Sequence, residues 1–183
     1  MPVSSTMLPL GTLAPDFELT DTCSHIPFRM HDQPAVATVL AFICNHCPAV
    51  THMIDEFVAF ASHVQTRGVR VLTICSNDPV AYPQDSPEQM KQFATEHGFT
   101  FPYLFDETQN TARAYQAACT PDLYVFDASL CCVYRGRFDD STPGNGKPVT
   151  GFDISEAVEC LLNGQNVSTD QFPSIGCSIK WRP

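Results

Sequence analysis

The stretch that decides the fold covers residues 36–48 and reads Val-Ala-Thr-Val-Leu-Ala-Phe-Ile-Cys-Asn-His-Cys-Pro. Its first part, 36–43, is an almost unbroken apolar run, which predicts a strand that is buried on both faces. From Pro48 onward, apolar residues recur every three or four positions, which predicts an amphipathic helix. Cys44 and Cys47 are therefore expected on a strand-to-helix turn, where the positive end of the helix favours a thiolate. Two thiols this close can also close a disulfide, the minimum needed for reversible dithiol–disulfide exchange.

Length and composition favour one globular domain over residues 1–183. Of the 183 residues, 44% are hydrophobic and 16% are charged, as in ordinary globular domains. The net charge is −10 and no basic cluster is present, which argues against nucleic acid and anionic membrane surfaces as partners. No apolar run approaches the roughly 20 residues of a membrane-spanning helix. The N-terminus also lacks the pattern of a secretory signal.

The nine cysteines indicate a reducing compartment. Their number is odd and their spacing is irregular, unlike the cysteines of a secreted disulfide scaffold. We therefore expect a cytoplasmic location. Five of the nine are predicted to be packing residues: Cys23, Cys75, Cys131, Cys132 and Cys160.

The order of the predicted elements is β-β-β-α-β-α-α-β-β-α, which is typical of an α/β sandwich. A hairpin over about 17–30 precedes the strand at 36–43. The later elements are a helix at 48–66, a strand at 69–76, a Pro- and Asp-rich loop at 77–87, a helix from the Ser86 cap to about 96, an extended segment at 101–106, a helix at 108–118, strands at 122–127 and 131–136, and a helix at 153–163 capped by Asp153. This alternation predicts a mainly parallel sheet to which the last hairpin adds antiparallel strands. The tail, 165–183, has no clear period.

This order, with Cys-x-x-Cys at the strand-to-helix turn, resembles the thioredoxin superfamily. The segment 14–21, Ala-Pro-Asp-Phe-Glu-Leu-Thr-Asp, is similar to the opening of redoxins and peroxiredoxins, the alkyl hydroperoxide reductase/thiol-specific antioxidant (AhpC/TSA) branch. Thr120-Pro121 matches the Thr-cis-Pro that faces the Cys-x-x-Cys in that fold, and 125–136 looks like its closing hairpin. Residues 174–181 are similar to the tail of a group of bacterial thioredoxin-like proteins.

The resemblance covers about residues 11–164 and implies a thioredoxin-like fold. Its parts would be a mixed central sheet flanked by helices, an N-terminal β-hairpin and a C-terminal extension over 165–183. It also implies a thiol–disulfide oxidoreductase whose substrates are protein or small-molecule disulfides or thiols, served by a dithiol reductant. Such an enzyme needs no metal and no cofactor beyond its own redox-active disulfide.

The resemblance assigns a role to each residue of the candidate site. Cys44, the first cysteine, is expected to expose its thiolate and attack a substrate disulfide, and Cys47 to resolve the mixed disulfide. His46 would stabilise the Cys44 thiolate and lower its pKa, which makes the pair less reducing than that of thioredoxin. Pro121 would be cis and would present the backbone of Thr120 to the substrate.

Two further cysteines are candidates for accessory thiols. Cys119 lies two residues before Pro121 and could face the Cys-x-x-Cys. Cys177 lies in a tail that could fold back toward it. The alternative for both is that they are small hydrophobic packing residues.

Two alternative functions use the same turn. In a peroxiredoxin-like peroxidase Cys47 would be the peroxidatic thiol, but that family's Pro-x-x-x-Thr-x-x-Cys pattern has Leu40 and Cys44 here at its Pro and Thr positions. The departure argues against fast peroxide reduction, though not against slow reduction through a sulfenic acid. A copper-binding protein of the Sco type would use thiolates for Cu(I). Its Cys-x-x-x-Cys-Pro pattern is one residue longer, and its later His has no counterpart after His97.

Overall fold

Two sheets organise the computed structural model, which describes residues 2–33 and 35–183. The described strands are β1 (Pro2–Ser4), β2 (Glu18–Asp21), β3 (Pro27–Arg29), β4 (Ala37–Phe42), β5 (Val69–Cys75), β6 (Tyr103–Phe105), β7 (Cys119–Thr120), β8 (Asp122–Asp127), β9 (Cys132–Gly136) and β10 (Ile175–Ser178). The central sheet has seven strands in the order β3-β2-β6-β5-β4-β8-β9, and a smaller sheet has the order β1-β10-β7.

The central sheet is mixed. The pairs β4–β5 and β5–β6 are parallel, whereas β2–β3, β2–β6, β4–β8 and β8–β9 are antiparallel. The expectation of a mainly parallel sheet is therefore wrong. The reason is that the N-terminal hairpin joins the sheet, because β2 docks antiparallel on the edge of β6. β4 lies between β5 and β8, and all six of its residues are buried, as its apolar run predicts.

Four helices flank the sheet: α1 (Pro48–Gln65), α2 (Pro87–Glu96), α3 (Asn110–Ala114) and α4 (Phe152–Leu162). Alternate residues of β4 face opposite sides, so the sheet has a core on each face. Val39 and Ala41 belong to the core that α1, α2 and α4 cover. Leu40 and Phe42 belong to the core beneath α3. Of the helices in the described ranges, none combines the length and apolar character that crossing a bilayer requires.

The third helix is shorter than the predicted 108–118. Gln109 and Gln116 adopt left-handed backbone angles, with φ of 62° and 54°, and so bound the helical segment on both sides. The Gln109 side chain is buried and donates from Nε2 to the carbonyl oxygens of Ser76 and Lys180 at 2.7 and 2.9 Å. These long-range bonds hold Gln109 outside the helix, a tertiary effect that local periodicity does not encode.

The fourth helix begins one residue earlier than predicted, and Asp153 is not its cap. Gly151 occupies the N-cap position with φ of 62°. A Cβ there would lie 2.5 Å from the Phe138 ring, so only glycine fits. Asp153 instead lies in the first helical turn and forms an ion pair with Arg137.

The C-terminal tail folds back across the molecule and contains a strand, contrary to its lack of sequence periodicity. Strand β10 pairs antiparallel with β7, which places Cys177 opposite Thr120, and its other edge pairs with β1. Gly176 makes the approach possible, since a Cβ there would lie 2.0 Å from the Thr120 carbonyl oxygen. The tail therefore covers the end of the sheet that carries the Cys-x-x-Cys turn.

Candidate active site

The two cysteines lie where β4 gives way to α1. Cys47 is the N-cap residue of α1, with Pro48 at the first helical position, a position that tolerates proline because its missing N–H has no helical partner. Both cysteines have 0% of their surface exposed. The expectation that Cys44 exposes its thiolate is therefore wrong. The reason is that Cys44 lies against Thr120, 76 positions away, and near Asp85, contacts that exist only in the folded chain.

Both thiols contact one residue, Thr120. Cys44 Sγ lies 3.2 Å from the Thr120 hydroxyl oxygen, and the Cys47 thiol donates to the Thr120 carbonyl oxygen over 3.0 Å. The Thr120–Pro121 peptide bond is cis. The structure thus brings together four of the predicted site residues: Cys44, Cys47, Thr120 and Pro121.

A buried carboxylate, Asp85, organises the other side of the turn. The backbone N–H of Asn45 donates to Asp85 Oδ1 over 2.9 Å, and Asn77 Nδ2 donates to Asp85 Oδ2 over 2.8 Å. The Asn45 side chain accepts from the Tyr103 hydroxyl over 3.0 Å and donates to the Gln84 carbonyl over 2.8 Å. These bonds fix the turn between the two cysteines.

His46 faces Asp85, and its ring also lies within 4.8 Å of the Cys44 sulfur. Its Nδ1 lies 2.7 Å from Asp85 Oδ2, and its ring stacks on Tyr82 with 5.7 Å between the centroids. Lys180 from the tail lies over the other ring of this stack, 5.6 Å from the centroid of Tyr82. His46 is therefore placed to influence Cys44 both directly and through Asp85.

The pKa values of the two thiols move in opposite directions. The neighbouring Cys44 thiol, the thiol and backbone N–H of Cys177 and the backbone N–H of Val50 lower the pKa of Cys47 to about 4 against the effect of burial. The pKa of Cys44 is raised because its thiol donates to Cys47, because it is buried, and because the Asp85 carboxylate is near. The Thr120 carbonyl oxygen acts against ionisation of Cys47, since only the protonated sulfur can donate to it. The two buried thiols therefore titrate as one coupled pair that carries a single negative charge when it is half ionised.

The structure separates the two candidate accessory thiols. Cys177 is partly exposed and lies opposite Thr120, whose carbonyl oxygen accepts from the Cys47 thiol. Burial and the neighbouring Cys47 raise the pKa of Cys177 to about 11. Cys119 is fully buried, and its thiol lies 3.5 Å from the Pro121 carbonyl oxygen. Burial raises the pKa of Cys119, as expected for a packing residue.

Three side chains at the turn could together hold a metal ion. The ligand atoms of Cys44, His46 and Asp85 all lie within 4.8 Å of one another. One thiolate, one imidazole and one carboxylate suit a zinc-type ion better than Cu(I), which prefers soft sulfur ligands. Both Asp85 oxygens already accept amide hydrogen bonds. The donor set therefore gives no support to the copper alternative, and the expectation of no metal stays a prediction.

Sequence analysis missed the network behind the turn, whose members are Asn45, Asn77, Tyr82, Asp85, Tyr103 and Lys180. The available signal is the Pro83–Asp85 segment directly before the Ser86 cap, because a proline-initiated turn joined to a capped helix holds its polar residues in fixed positions. Nothing in the sequence links Asp85 to Asn45, which is 40 positions away. That link exists only in the folded chain.

Comparison with known protein families gives a match over most of the chain. The model of the AhpC/TSA family matches residues 10–134. The thiol-disulfide oxidoreductase ResA of Geobacillus kaustophilus (strain HTA426) is 25% identical over 122 residues. The matched part is 67% of this chain and 66% of that relative, slightly less than two thirds of the relative's length.

Solved structures agree with the fold. An uncharacterized conserved protein from Geobacillus kaustophilus is 53% identical with a TM-score of 0.98, and the match covers 100% of this chain and 97% of that one. A hypothetical protein from Sinorhizobium meliloti 1021 is 42% identical with a TM-score of 0.95, and the match covers 98% of both chains. A thiol:disulfide interchange protein of the thioredoxin family from Chlorobium tepidum TLS is 19% identical with a TM-score of 0.64, over 84% of this chain and 98% of that one. The last likeness concerns the fold alone, and the predicted thioredoxin-like fold is confirmed.

Proposed function

The chain belongs to the AhpC/TSA family, and within this family we propose that it acts as a thiol–disulfide oxidoreductase through the Cys44–Cys47 pair. The observation that carries the proposal is that both sulfurs contact Thr120, at 3.2 and 3.0 Å, beside the cis bond to Pro121. Two thiols against one residue are placed to join to each other and to exchange with a third sulfur. The similarity to a relative named as a thiol-disulfide oxidoreductase supports this choice.

The proposed reduction of a substrate disulfide has two exchange steps. In the first, which requires the chain around the buried pair to move, a thiolate of the pair attacks one substrate sulfur, forms a mixed disulfide and releases the other substrate sulfur as a thiolate that takes up a proton. In the second, the remaining thiol of the pair loses its proton and attacks the mixed disulfide, which closes Cys44–Cys47 and releases the first substrate sulfur. The substrate gains two electrons and two protons, and the pair loses the same. The reverse steps oxidise a dithiol.

The order in which the two cysteines react is a separate part of the proposal. The resemblance to thioredoxins predicts attack by Cys44 and resolution by Cys47, and this stays a prediction. We propose that order, with Cys44 as the attacking thiolate and Cys47 as the resolving thiol. The reverse order is the alternative, because the groups around Cys47 lower its pKa while the Asp85 carboxylate raises that of Cys44.

The partners of the proposed enzyme follow from its chemistry. They are thiols or disulfides on proteins or small molecules, together with a dithiol reductant that returns the pair to its reduced form. A reducing compartment such as the cytoplasm suits the nine cysteines, none of which is paired with another within the described residues. The net charge of −10 supports the expectation that nucleic acid and anionic membrane surfaces are not partners.

A peroxidase is the second candidate, and the low pKa of Cys47 is the observation that favours it. A thiolate can attack hydrogen peroxide, form a sulfenic acid and release water. Cys44 would then condense with that sulfenic acid to close the same disulfide. However, Cys47 is fully buried and the Thr of the peroxiredoxin pattern is replaced by Cys44.

The test compares two oxidants on the fully reduced protein. One sample is mixed with glutathione disulfide and another with hydrogen peroxide at equal concentration, and the modified cysteines are mapped by mass spectrometry over time. The oxidoreductase proposal expects Cys44–Cys47 to close faster with glutathione disulfide, with no closure in the Cys44→Ser and Cys47→Ser variants. Faster reaction with peroxide, with sulfenic acid first at Cys47, would identify a peroxidase instead.

A further inference from the structure

Cys177, in the C-terminal strand β10, is the partly exposed thiol beside the buried pair. We propose that Cys177 is a third redox thiol, which exchanges with Cys47 and connects the Cys44–Cys47 pair to thiols outside the protein. The inference rests on the proposed function, because it needs a disulfide at Cys44–Cys47 to exchange with. It adds the residue at which the external reductant reacts.

The backbone places Cys177 directly at the pair. Strand β10 pairs antiparallel with β7, with Cys177 opposite Thr120, the residue that contacts both Cys44 and Cys47. The Thr120 carbonyl oxygen accepts from the Cys47 thiol over 3.0 Å, and Cys177 packs against the core cluster that contains both Cys44 and Cys47. Gly176 fixes this position, because any side chain there would collide with the Thr120 carbonyl. The three thiols therefore form one cluster.

Access to the cluster differs sharply among its members. Cys44 and Cys47 have 0% of their surface exposed, so an external sulfur cannot reach either without movement of the chain. Cys177 is partly exposed and lines an open, largely apolar groove of about 530 Å³ together with Pro48, Pro143, Ile175 and Lys180. Of the three thiols, Cys177 is thus the one that an external thiol meets first.

The same strand closes the other route to the pair. An extended peptide can bind a sheet edge by adding a strand, with main-chain hydrogen bonds to the edge. The edge of β7 next to the pair is already occupied by β10 of the same chain. A substrate that approached by strand addition would have to displace the tail, whereas reaction at Cys177 leaves the tail in place.

Atoms and electrons balance in the proposed relay, and the external dithiol is the reagent that it consumes. The Cys177 thiolate attacks Cys47 Sγ of the Cys44–Cys47 disulfide, which forms Cys47–Cys177 and releases Cys44 as a thiolate that takes the proton lost by Cys177. One thiol of an external dithiol then attacks Cys177 Sγ and releases Cys47. Its second thiol attacks the mixed disulfide and releases Cys177. The dithiol becomes a disulfide, and Cys44 and Cys47 receive its two electrons and two protons.

The charges around Cys177 suit this step. The ammonium group of Lys180 lowers the pKa of Cys177, while burial and the Cys47 thiolate raise it. In the oxidised pair Cys47 carries no charge, so the repulsion from Cys47 is absent when Cys177 has to act. Thr120 Oγ1, 3.2 Å from Cys44 Sγ, can donate to the released Cys44 thiolate.

The first test traps the relay disulfide. The Cys44→Ser variant is oxidised with glutathione disulfide, digested without reduction and analysed by mass spectrometry. We expect a peptide that joins Cys47 to Cys177, formed in most of the molecules. A Cys47–glutathione adduct that persists while Cys177 stays free would overturn the proposal.

The second test measures the rate at which dithiothreitol reduces the oxidised protein. The Cys177→Ser variant retains Cys44–Cys47, and we expect its reduction to be at least tenfold slower than that of the wild type. Cys160→Ser is the matched control, since Cys160 is also partly exposed but lines a separate groove with Tyr134 and Val167. The control should match the wild-type rate within twofold.

The outcomes separate this inference from the proposed function. Suppose that Cys44–Cys47 closes in both the wild type and Cys177→Ser. Equal rates of reduction of the two proteins, or no peptide that joins Cys47 to Cys177 in the trapping test, would then overturn the relay alone. Failure of Cys44–Cys47 to close in the wild type would overturn the proposed function and the relay together. The trapping test retains Cys177, so it decides the question even if Cys177→Ser folds poorly.

Discussion

His46 Nδ1 lies 2.7 Å from Asp85 Oδ2, so the imidazole between the two cysteines faces a buried carboxylate. This relationship gives the turn two opposing charges near the Cys44 sulfur. The Asp85 carboxylate raises the pKa of Cys44, and a protonated His46 offsets that carboxylate. The pair His46–Asp85 is therefore a means of setting the redox potential of the disulfide, because whatever stabilises the thiolate stabilises the reduced form.

Substitutions of these two residues should shift the potential in opposite directions. Asp85→Asn removes the negative charge, lowers the pKa of Cys44 and should make the potential less negative by about 10–30 mV, since 30 mV corresponds to about 1.4 kcal/mol for this couple. His46→Asn removes the imidazole contact that draws the Asp85 charge away from Cys44 and should make the potential more negative by a similar amount. The measurement is equilibration with glutathione buffers.

The chain contains a matched control for this pair of variants. His97 Nδ1 and Asp55 Oδ1 lie 2.8 Å apart in a similar pair, but this pair is on the protein surface. Asp55 belongs to α1, and His97 is the C-cap residue of α2. Asp55→Asn and His97→Asn should leave the potential unchanged. Shifts of equal sign for the two site variants would show that the pair acts through the shape of the turn and not through its charge.

The Thr120 hydroxyl should contribute to the potential through its contact with Cys44. The hydrogen bond lowers the pKa of Cys44, so Thr120→Val, which keeps the side-chain shape, should weaken the reduced form. A loss of about 1 kcal/mol is typical for such a bond and corresponds to a potential about 20 mV more negative. Thr120→Ser retains the hydroxyl and should behave as the wild type. Equal potentials for the Val and Ser variants would rule out this contribution.

The Cys47 thiol should ionise far below the usual range for cysteine. Its pKa is lowered to about 4, so the thiolate of the reduced protein should persist as the pH falls and disappear only near that value. Thiolate absorbance in the ultraviolet, followed from neutral to acid pH, measures this step. The step should be absent in Cys47→Ser. In Cys44→Ser it should be retained, but with a higher pKa, because a hydroxyl replaces the Cys44 thiol beside Cys47. A step that survives in Cys47→Ser would belong to another group.

Asp122 should make the stability of the protein fall as the pH rises through the acid range. Burial raises the pKa of Asp122 to about 7, and its Oδ1 has no hydrogen-bond partner among the described residues. Between the pKa of the unfolded chain, about 4, and about 7, the folded state binds the extra proton, so the free energy of unfolding decreases with rising pH. The total effect is on the order of 4 kcal/mol at most.

Asp122→Asn isolates this contribution, because it resembles the protonated carboxyl at every pH. We expect the unfolding free energy of the wild type to fall relative to that of Asp122→Asn as the pH rises from acid to neutral. Above that range the difference between the two proteins should be constant. Urea unfolding at several pH values measures it. A difference that does not change with pH would mean that Asp122 ionises normally in the folded protein.

The local parts of the fold follow from the sequence. The apolar run of β4, the Pro48 start of α1 and the Ser86 cap of α2 are each encoded by neighbouring residues, and each is found within a residue of its predicted place. The meeting of Cys44 and Cys47 with Thr120 was expected from the resemblance to thioredoxins, since 73 or more positions separate them in the chain. Periodicity alone does not supply that contact.

The parts that could not be predicted depend on contacts made only in the folded chain. Strand β10 has no alternating apolar pattern: it is held by backbone pairing at both edges, and its Gly176 is required by the close approach to Thr120. Asp85 lies in a segment with the composition of a loop, and its role comes from Asn45 and His46 across the turn. The burial of Cys44 involves Thr120, 76 positions away in the chain, which no local pattern places beside that thiol.

The central claim is that Cys44 and Cys47 form a reversible redox pair, and a glutathione titration tests it most directly. The protein is equilibrated over a range of glutathione to glutathione disulfide ratios, quenched in acid, and the fraction with a Cys44–Cys47 disulfide is determined by mass spectrometry. We predict one reversible two-electron transition to that disulfide, which is lost in Cys44→Ser and in Cys47→Ser. Cysteines that stay reduced across the whole range, or a glutathione adduct that never closes to Cys44–Cys47, would contradict the account.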